Sequence, residues 1–295
     1  MSYINTDLSI FVPGALDFEP VLKPIVYNNR PVLDKKLVVR TDTDEPLGVV
    51  GSKHRPTPYA KLWEPLVKGL ADSGLDLTEA TVKWNVIDRG GAMFADITLK
   101  AYDYEHIVGE PTRLSMRVVN SVNGKYKYLV SSFLRRLACL NGMTRMADDT
   151  STAFKHTAGT DPEKIGEVAS KWPALLEQDA HLFNHMKTVH LTDEDVSNLF
   201  AKFCITVTRT ETRVNKAWLG RMVNLWDTYK TGIGKNGFAL YNALTHYSTH
   251  ADKDMTRGDL NAKLLRQEQS VSKFINGGEF KKLINYDNFD FKIAA

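Results

Sequence analysis

The chain has 295 residues, of which 43% are hydrophobic and 25% charged, a balance typical of a soluble protein with one or two domains. It contains no apolar run near the roughly 20 residues of a membrane-spanning helix. Its first residues lack the basic segment and long apolar core of a secretory signal. The two cysteines, Cys139 and Cys204, are too few for a disulfide framework and suit a reducing cytosol, so we expect a cytoplasmic protein.

Residues 1–35 are predicted to form an irregular N-terminal arm. Pro13, Pro20, Pro24 and Pro31 interrupt every candidate element in this stretch. Its many apolar residues indicate an arm that packs on its own core or on a neighbouring subunit.

Residues 36–150 have the pattern of an antiparallel sheet with one helix packed on it. LVVRT (37–41) and LGVVGS (47–52) flank a polar turn and predict a hairpin. Apolar residues at helical spacing predict a helix within residues 57–74. Four further strands are predicted at 80–87, 92–102, 114–122 and 125–139.

Residues 151–295 are predicted to be helical, with a break at Pro173. Thr192 and Asp195 resemble a capping box that opens a short helix. Further helices are predicted at 210–230, 237–250 and 257–276, and the tail from Tyr286 to Phe291 alternates acidic and aromatic residues. The fold class is therefore α+β.

The net charge of +3 conceals a strongly uneven distribution. Residues 111–147 contain no acidic side chain, so the remainder of the chain is net acidic. Charge concentrated on one segment points to an anionic partner. The basic residues of this segment are Arg113, Arg117, Lys125, Lys127, Arg135, Arg136 and Arg145.

The pair Asn123-Gly124 between two strand patterns predicts a two-residue type I′ turn. Val122 then faces Lys125, and alternation separates the two lysines of KYKY from its two tyrosines. Cations that follow phosphates and aromatic rings that stack on bases suit single-stranded nucleic acid. The alternative is that the tyrosines face the core and the lysines only keep the hairpin soluble.

A second cationic patch, Lys53-His54-Arg55, follows the predicted strand at 47–52 and could contact phosphate. It lacks the spacing of a phosphate-binding loop. The predicted nucleic-acid-binding residues are Lys53, Arg55, Arg113, Arg117, Lys125, Tyr126, Lys127, Tyr128, Arg135 and Arg136.

Catalytic chemistry is not indicated. Cys139 in RRLACLNGM lies in an apolar run, where a cysteine is usually a buried small hydrophobe. His246 and His250 have the spacing of two metal ligands on a helix, but Tyr247 occupies the position where a metalloprotease needs its glutamate. We therefore expect no enzyme, no metal and no cofactor.

The blocks LGVVGSKHRPTPYAKLWEPLVKGL, VNSVNGKYKYLVSSFLRRLACLNGM, FKHT and GFALYNALTHYSTH resemble, in this order, those of the phage/plasmid-like domain-of-unknown-function proteins. The resemblance implies a mobile-element origin and the cytoplasm of a bacterial host, but no catalytic residues. The predicted architecture is also similar to that of the single-strand annealing proteins of the RecT and Red-beta type, a likeness at the level of the fold alone.

Two functions follow as hypotheses. The first is a homo-oligomeric protein that binds and anneals single-stranded DNA or RNA in phage or plasmid replication and recombination. The second is a phage-encoded interaction module that binds or inhibits a host protein, with the C-terminal tail as a further contact for a replication protein.

Overall fold

The computed structural model describes residues 3–7, 12–78, 80–103, 112–136, 142–144, 151–154, 163–170, 172–207, 211–250 and 260–289. The chain forms two compact units. The first comprises residues 1–102, 114–132 and 149–173, and the second comprises residues 103–113, 133–148 and 174–295. The predicted division after residues 35 and 150 stays a prediction.

Strands and helices follow one another in the order that an α+β chain requires, with most strands before most helices. The strands are β1 (Tyr3–Asp7), β2 (Pro20–Tyr27), β3 (Arg30–Arg40), β4 (Pro46–Gly51), β5 (Thr81–Ile87), β6 (Ala92–Asp103), β7 (Thr112–Ser121), β8 (Tyr128–Arg136), β9 (Gly142–Thr144), β10 (Ser151–Phe154), β11 (Ile205–Val207) and β12 (Thr212–Val214). The helices are α1 (Tyr59–Asp72), α2 (Glu163–Ala169), α3 (Trp172–Thr188), α4 (Asp193–Phe203), α5 (Lys216–Ile233), α6 (Gly237–Thr249), α7 (Leu260–Ile275) and α8 (Gly278–Leu283).

The main sheet of the first unit has the strand order β1-β5-β6-β7-β8-β10. The pairs β1–β5, β5–β6 and β8–β10 are antiparallel. A separate three-stranded sheet, β2-β3-β4, contains the predicted hairpin, since β3 and β4 pair antiparallel. The predicted fold class, an antiparallel sheet followed by a helical C-terminal region, is confirmed.

Helix α1 packs on the main sheet through one apolar face. Pro58 precedes the helix, and Gly74 follows it with a φ of 80°, as the sequence predicts. The ring centroids of Trp63 on α1 and Trp84 on β5 lie 4.5 Å apart. The buried face consists of Tyr59, Leu62, Trp63, Leu66 and Leu70.

The prediction of an irregular arm is wrong over residues 20–35. This stretch forms β2 and the first half of β3, joined by Asn28-Asn29 with φ values of 49° and 60°. Both values are left-handed, as a two-residue type I′ turn requires. Pro20 and Pro24 are tolerated because β2 is an edge strand, with Pro20 at its start and Pro24 at a bulge.

The predicted two-residue turn at Asn123-Gly124 is also wrong. Strand β7 ends at Ser121 and β8 begins at Tyr128, so six residues connect them. Gly124 has a φ of 77°, but Asn123 has a negative φ. The amide of Val122 donates to Gly91 O at 3.0 Å, so Val122 does not pair with Lys125.

The second unit is mainly helical. Thr192 and Asp195 form the predicted capping box at the start of α4, with Asp195 N donating to Thr192 Oγ1 at 3.1 Å. Helix α6 is the central helix, because every residue from Gly237 to Thr245 is buried. Strand β9 pairs antiparallel with residues 133–135 of β8 in this unit.

Candidate functional site

Three loops of the first unit meet at one end of the main sheet. They are residues 52–56 after β4, residues 88–91 between β5 and β6, and residues 122–127 between β7 and β8; we name them together the loop cluster. His54 Nε2 donates to Val122 O at 2.9 Å, and the Val122 amide donates to Gly91 O. Burial lowers the pKa of His54 below its ordinary value and so favours the neutral ring, and the carbonyl acceptor requires a proton on Nε2.

Asn123 holds the loop cluster together. Its Oδ1 accepts from Lys125 N at 3.1 Å, and its Nδ2 donates to Asp88 Oδ2 at 3.3 Å. A Cβ added at Gly91 would lie 2.6 Å from Asn123 Nδ2, so this close approach requires glycine there. The Asn-Gly pair therefore forms an Asx turn that is clamped against a neighbouring loop.

Residues 88–90 have an unusual backbone. Asp88, Arg89 and Gly90 have φ values of 51°, 59° and 93° in succession. Two bonds hold their carbonyls: Arg40 Nη1 donates to Arg89 O at 2.7 Å, and Tyr59 Oη donates to Gly90 O at 2.8 Å. Left-handed backbone at consecutive non-glycine residues is strained and persists only where surrounding contacts enforce it.

Arg40 and Tyr59 are themselves fixed. Arg40 binds both carboxylate oxygens of Asp42, at 2.9 and 2.6 Å, and lies 4.2 Å from the ring centroid of Phe18. The bond from Arg40 lowers the pKa of the Asp42 carboxyl. Burial raises the pKa of the Tyr59 phenol well above its ordinary value. Arg40 and Tyr59 therefore stay protonated and keep donating to the carbonyls of residues 88–90.

Four exposed cations lie on two loops of the cluster: Lys53, Arg55, Lys125 and Lys127. Lys125 Nζ is 3.3 Å from Asp88 Oδ2. Arg55 Nη1 donates to the carbonyls of Ser52 and His54 at 3.0 and 2.9 Å. Within the described residues, no carboxylate lies within 4.0 Å of the cationic groups of Lys53, Arg55 or Lys127.

Several residues that were predicted to contact nucleic acid are buried or partly buried in the structure. Tyr128 is 1% exposed and its hydroxyl lies 3.4 Å from Leu62 O on α1, so its predicted stacking role is wrong. Arg117 Nε lies 2.7 Å from Asp96 Oδ1, and that side chain is 19% exposed. Tyr126 is half-buried against Phe94, with ring centroids 5.2 Å apart.

Two cations of the acid-free run, Arg117 and Lys125, are therefore paired in space with carboxylates from other strands and loops. Asp96 on β6 and Asp88 in the loop cluster supply the carboxylates that residues 111–147 lack. Arg113 is half-buried on β7. Arg135 and Arg136 lie on β8, but their side chains are outside the described residues, as are Cys139 and Arg145 in full.

His246 on α6 packs on His250, the residue that follows this helix, with ring centroids 4.1 Å apart. His246 Nδ1 is 2.8 Å from Tyr229 Oη, and burial lowers the pKa of His246 to about 4. The described residues contain no group of three side chains that could hold a metal ion. Cys204 is buried, which raises the pKa of its thiol to about 12.

Sequence reasoning missed three residues that organise the site. Asp88, Asn123 and His54 connect the loops, but their sequence patterns indicated only a strand connection, a hairpin turn and a cationic patch. Gly90-Gly91 was the available signal, since paired glycines mark a close approach of backbone. Of the tail, Tyr286–Asn288 form a 3-10 turn, and residues 290–295 lie outside the described part.

The fold and the loop cluster define an α+β protein with a polar site built from loops at the end of a sheet. The family described as "Domain of unknown function (DUF932)" matches residues 46–272, and the chain belongs to it. This range contains all three loops of the cluster. No curated protein and no solved structure matches the chain. Across the described residues, no helix has the length and apolar character to cross a membrane.

Proposed function

We propose that the protein binds single-stranded nucleic acid at the loop cluster. The observation that supports this is the contact between His54 and Val122, which joins two loops that each carry two exposed cations. The two loops are about seventy residues apart in sequence, so only folding brings Lys53 and Arg55 towards Lys125 and Lys127. A row of cations on a rigid base suits a phosphate backbone, and half-exposed Tyr126 adds an aromatic ring to it.

The rigidity of the site also supports binding. The strained backbone of residues 88–90 is held by Arg40 and Tyr59, and Asn123 fixes the neighbouring loop. Cations on a preorganised surface lose less conformational entropy when they bind a ligand.

The proposal is tested by the affinity for a fluorescein-labelled oligothymidylate at several salt concentrations. The double variant Lys53→Ala/Arg55→Ala should bind more weakly, and the negative slope of log affinity against log salt should become less steep by about 1.4, or roughly 0.7 for each phosphate that the variant no longer neutralises. Lys61→Ala/Lys68→Ala, which removes two exposed cations from α1 of the same unit, is the matched control. Absence of binding by the unchanged protein at low salt overturns the proposal.

The proposal also covers the cellular process in which the protein acts. Annealing of complementary strands by a homo-oligomer is the role that the fold-level likeness to the RecT and Red-beta proteins suggests, and phage or plasmid replication is the setting that the family resemblance implies. Light scattering with and without the oligonucleotide tests the assembly, because an annealing protein that stays a monomer on a long strand contradicts this part of the proposal.

A further inference from the structure

The hairpin of β2 and β3 is exposed along most of its length. No residue from Val21 to Leu37 is buried. Three large apolar side chains of the hairpin are exposed to solvent: Tyr27 is 72% exposed, Leu33 82% and Val26 60%. Exposed apolar side chains grouped on one element usually mark an interaction site.

The hairpin is also basic. Arg30, Lys35 and Lys36 lie on β3, and Lys23 on β2 pairs with Asp44. Within the described residues, no carboxylate lies within 4.0 Å of the cationic groups of the three β3 residues. Asp34 is the one acid between Tyr27 and Leu37. An anionic partner therefore fits this surface better than a neutral one.

The base of the hairpin continues into the loop cluster. Lys35 pairs with Gly51 on β4, and Ser52 N donates to Asp34 O at 3.0 Å. The next residue is Lys53, an exposed cation of the cluster. From Lys35 to Arg30 the strand extends on the order of 15 Å further. Cations thus occur from the loop cluster to the tip of the hairpin, where Tyr27 pairs with Arg30, although Lys35 and Lys36, as neighbours on a strand, point to opposite faces.

The edge of the hairpin disfavours a strand from another protein as the occupant. β2 is an edge strand, but Pro20 and Pro24 lack the N–H groups that strand addition needs. The register shift after Pro24 interrupts the regular pairing of β2 with β3. Recognition by side chains remains, and an exposed tyrosine beside arginine and lysine is suited to bases and phosphates.

We propose that the β2–β3 hairpin is the base-stacking arm of the nucleic-acid interface. Tyr27 stacks on a base of a single strand, and Arg30, its partner across the turn, holds a neighbouring phosphate. The inference rests on the proposed function and adds the aromatic contact that buried Tyr128 does not supply.

The test separates base stacking from phosphate binding. Affinity is measured for oligothymidylate and for the same strand with abasic sites in place of the thymidines, which keeps the phosphates. Tyr27→Ala should lose roughly tenfold in affinity for oligothymidylate, and Tyr27→Phe should lose little. On the abasic strand, the unchanged protein and Tyr27→Ala should bind equally. Leu33→Ala is the matched control, since it truncates a more exposed apolar side chain on the same hairpin.

Each of the following results would overturn the inference. If Tyr27→Ala binds both strands as the unchanged protein does, the stacking arm is wrong and the proposed function stands. If the unchanged protein binds neither strand at low salt, both fail. Equal losses in Tyr27→Ala and Leu33→Ala would indicate a general apolar contact. Light scattering without nucleic acid adds one more outcome: an oligomer that Tyr27→Ala dissociates would assign the hairpin to an interface between copies.

Discussion

Asn123 is the residue on which the loop cluster depends most directly. Its side chain accepts from the Lys125 amide and donates to Asp88, so one residue fixes two loops. Asn123→Ala removes both bonds and should lower the free energy of unfolding by about 1–2 kcal/mol. Urea denaturation measures the change.

The matched control for this prediction is Asn224→Ala, on an exposed position of α5. It should be neutral or slightly stabilising, because alanine favours a helix more than asparagine does. An Asn123→Ala protein as stable as the unchanged protein would contradict the role given to this side chain.

Tyr128 shows why residue-level roles were harder to predict than elements. The alternation in KYKY predicted a hairpin of β7 and β8 with one face in solvent. Every residue from Ser115 to Val122 except Arg117 is buried, so β7 is covered on both faces. Alternation of side chains assigns residues to two faces, but it does not tell which faces other elements cover. The same pattern KYKY therefore contains exposed lysines, a half-buried tyrosine and a buried one.

At the scale of elements, helices α1, α4 and α6 were predictable because local signals define them. Proline and glycine bound α1, and a capping box opens α4. The hairpin of β2 and β3 was missed because its prolines break the pattern on which strand prediction depends. The loop after β7 was misassigned because tertiary contacts with Gly91 and Asp88, which no local pattern contains, decide its shape.

The crossing of α1 and α2 is an element-level contact with a sharp consequence. A Cβ added at Gly69 on α1 would lie 2.3 Å from Gly166 O on α2, which is closer than atoms can approach. Alanine normally favours a helix over glycine by about 1 kcal/mol. Overpacking typically costs about 1–3 kcal/mol, so Gly69→Ala should be destabilising in urea denaturation.

Gly220→Ala is the control for this crossing. Gly220 is an exposed glycine in α5, and an added Cβ meets nothing within 4 Å. It should stabilise the protein by up to about 1 kcal/mol. If both alanine variants are stabilised alike, the two helices do not approach as closely as the structure indicates.

At the scale of the whole molecule, charge has to be judged in space. The acid-free run of 111–147 suggested a uniformly basic surface, but Asp88 and Asp96 pair with two of its cations. The cations without a carboxylate neighbour among the described residues include Lys53 and Arg30, both outside that run. The charge pattern of the sequence therefore predicted more exposed positive charge on β7 than the structure has. It did not predict the exposed positive charge of the β2–β3 hairpin.

Among the described residues, His54 in the first unit and His246 in the second are partly buried and favour the neutral form. Burial lowers the pKa of His54 in the first unit and that of His246, to about 4, in the second. His246 contacts Tyr229, and the nearby charge of Arg221 and the neighbouring His250 add to the effect. An unfolded histidine has a pKa of about 6.5, so below this pH the unfolded chain binds protons that the folded chain does not. Stability is thus present above about pH 6.5 and falls as the pH falls towards 4.

The protein should therefore unfold at a lower temperature at pH 5 than at pH 7, before the carboxylates titrate near pH 4. His54→Gln and His246→Gln keep a side-chain amide for the bonds to Val122 O and Tyr229 Oη but do not titrate. Each should reduce the fall in melting temperature, and the double variant should reduce it most, because the two sites lie in different units. A double variant that falls as steeply as the unchanged protein would show that other groups set the acid limit of stability.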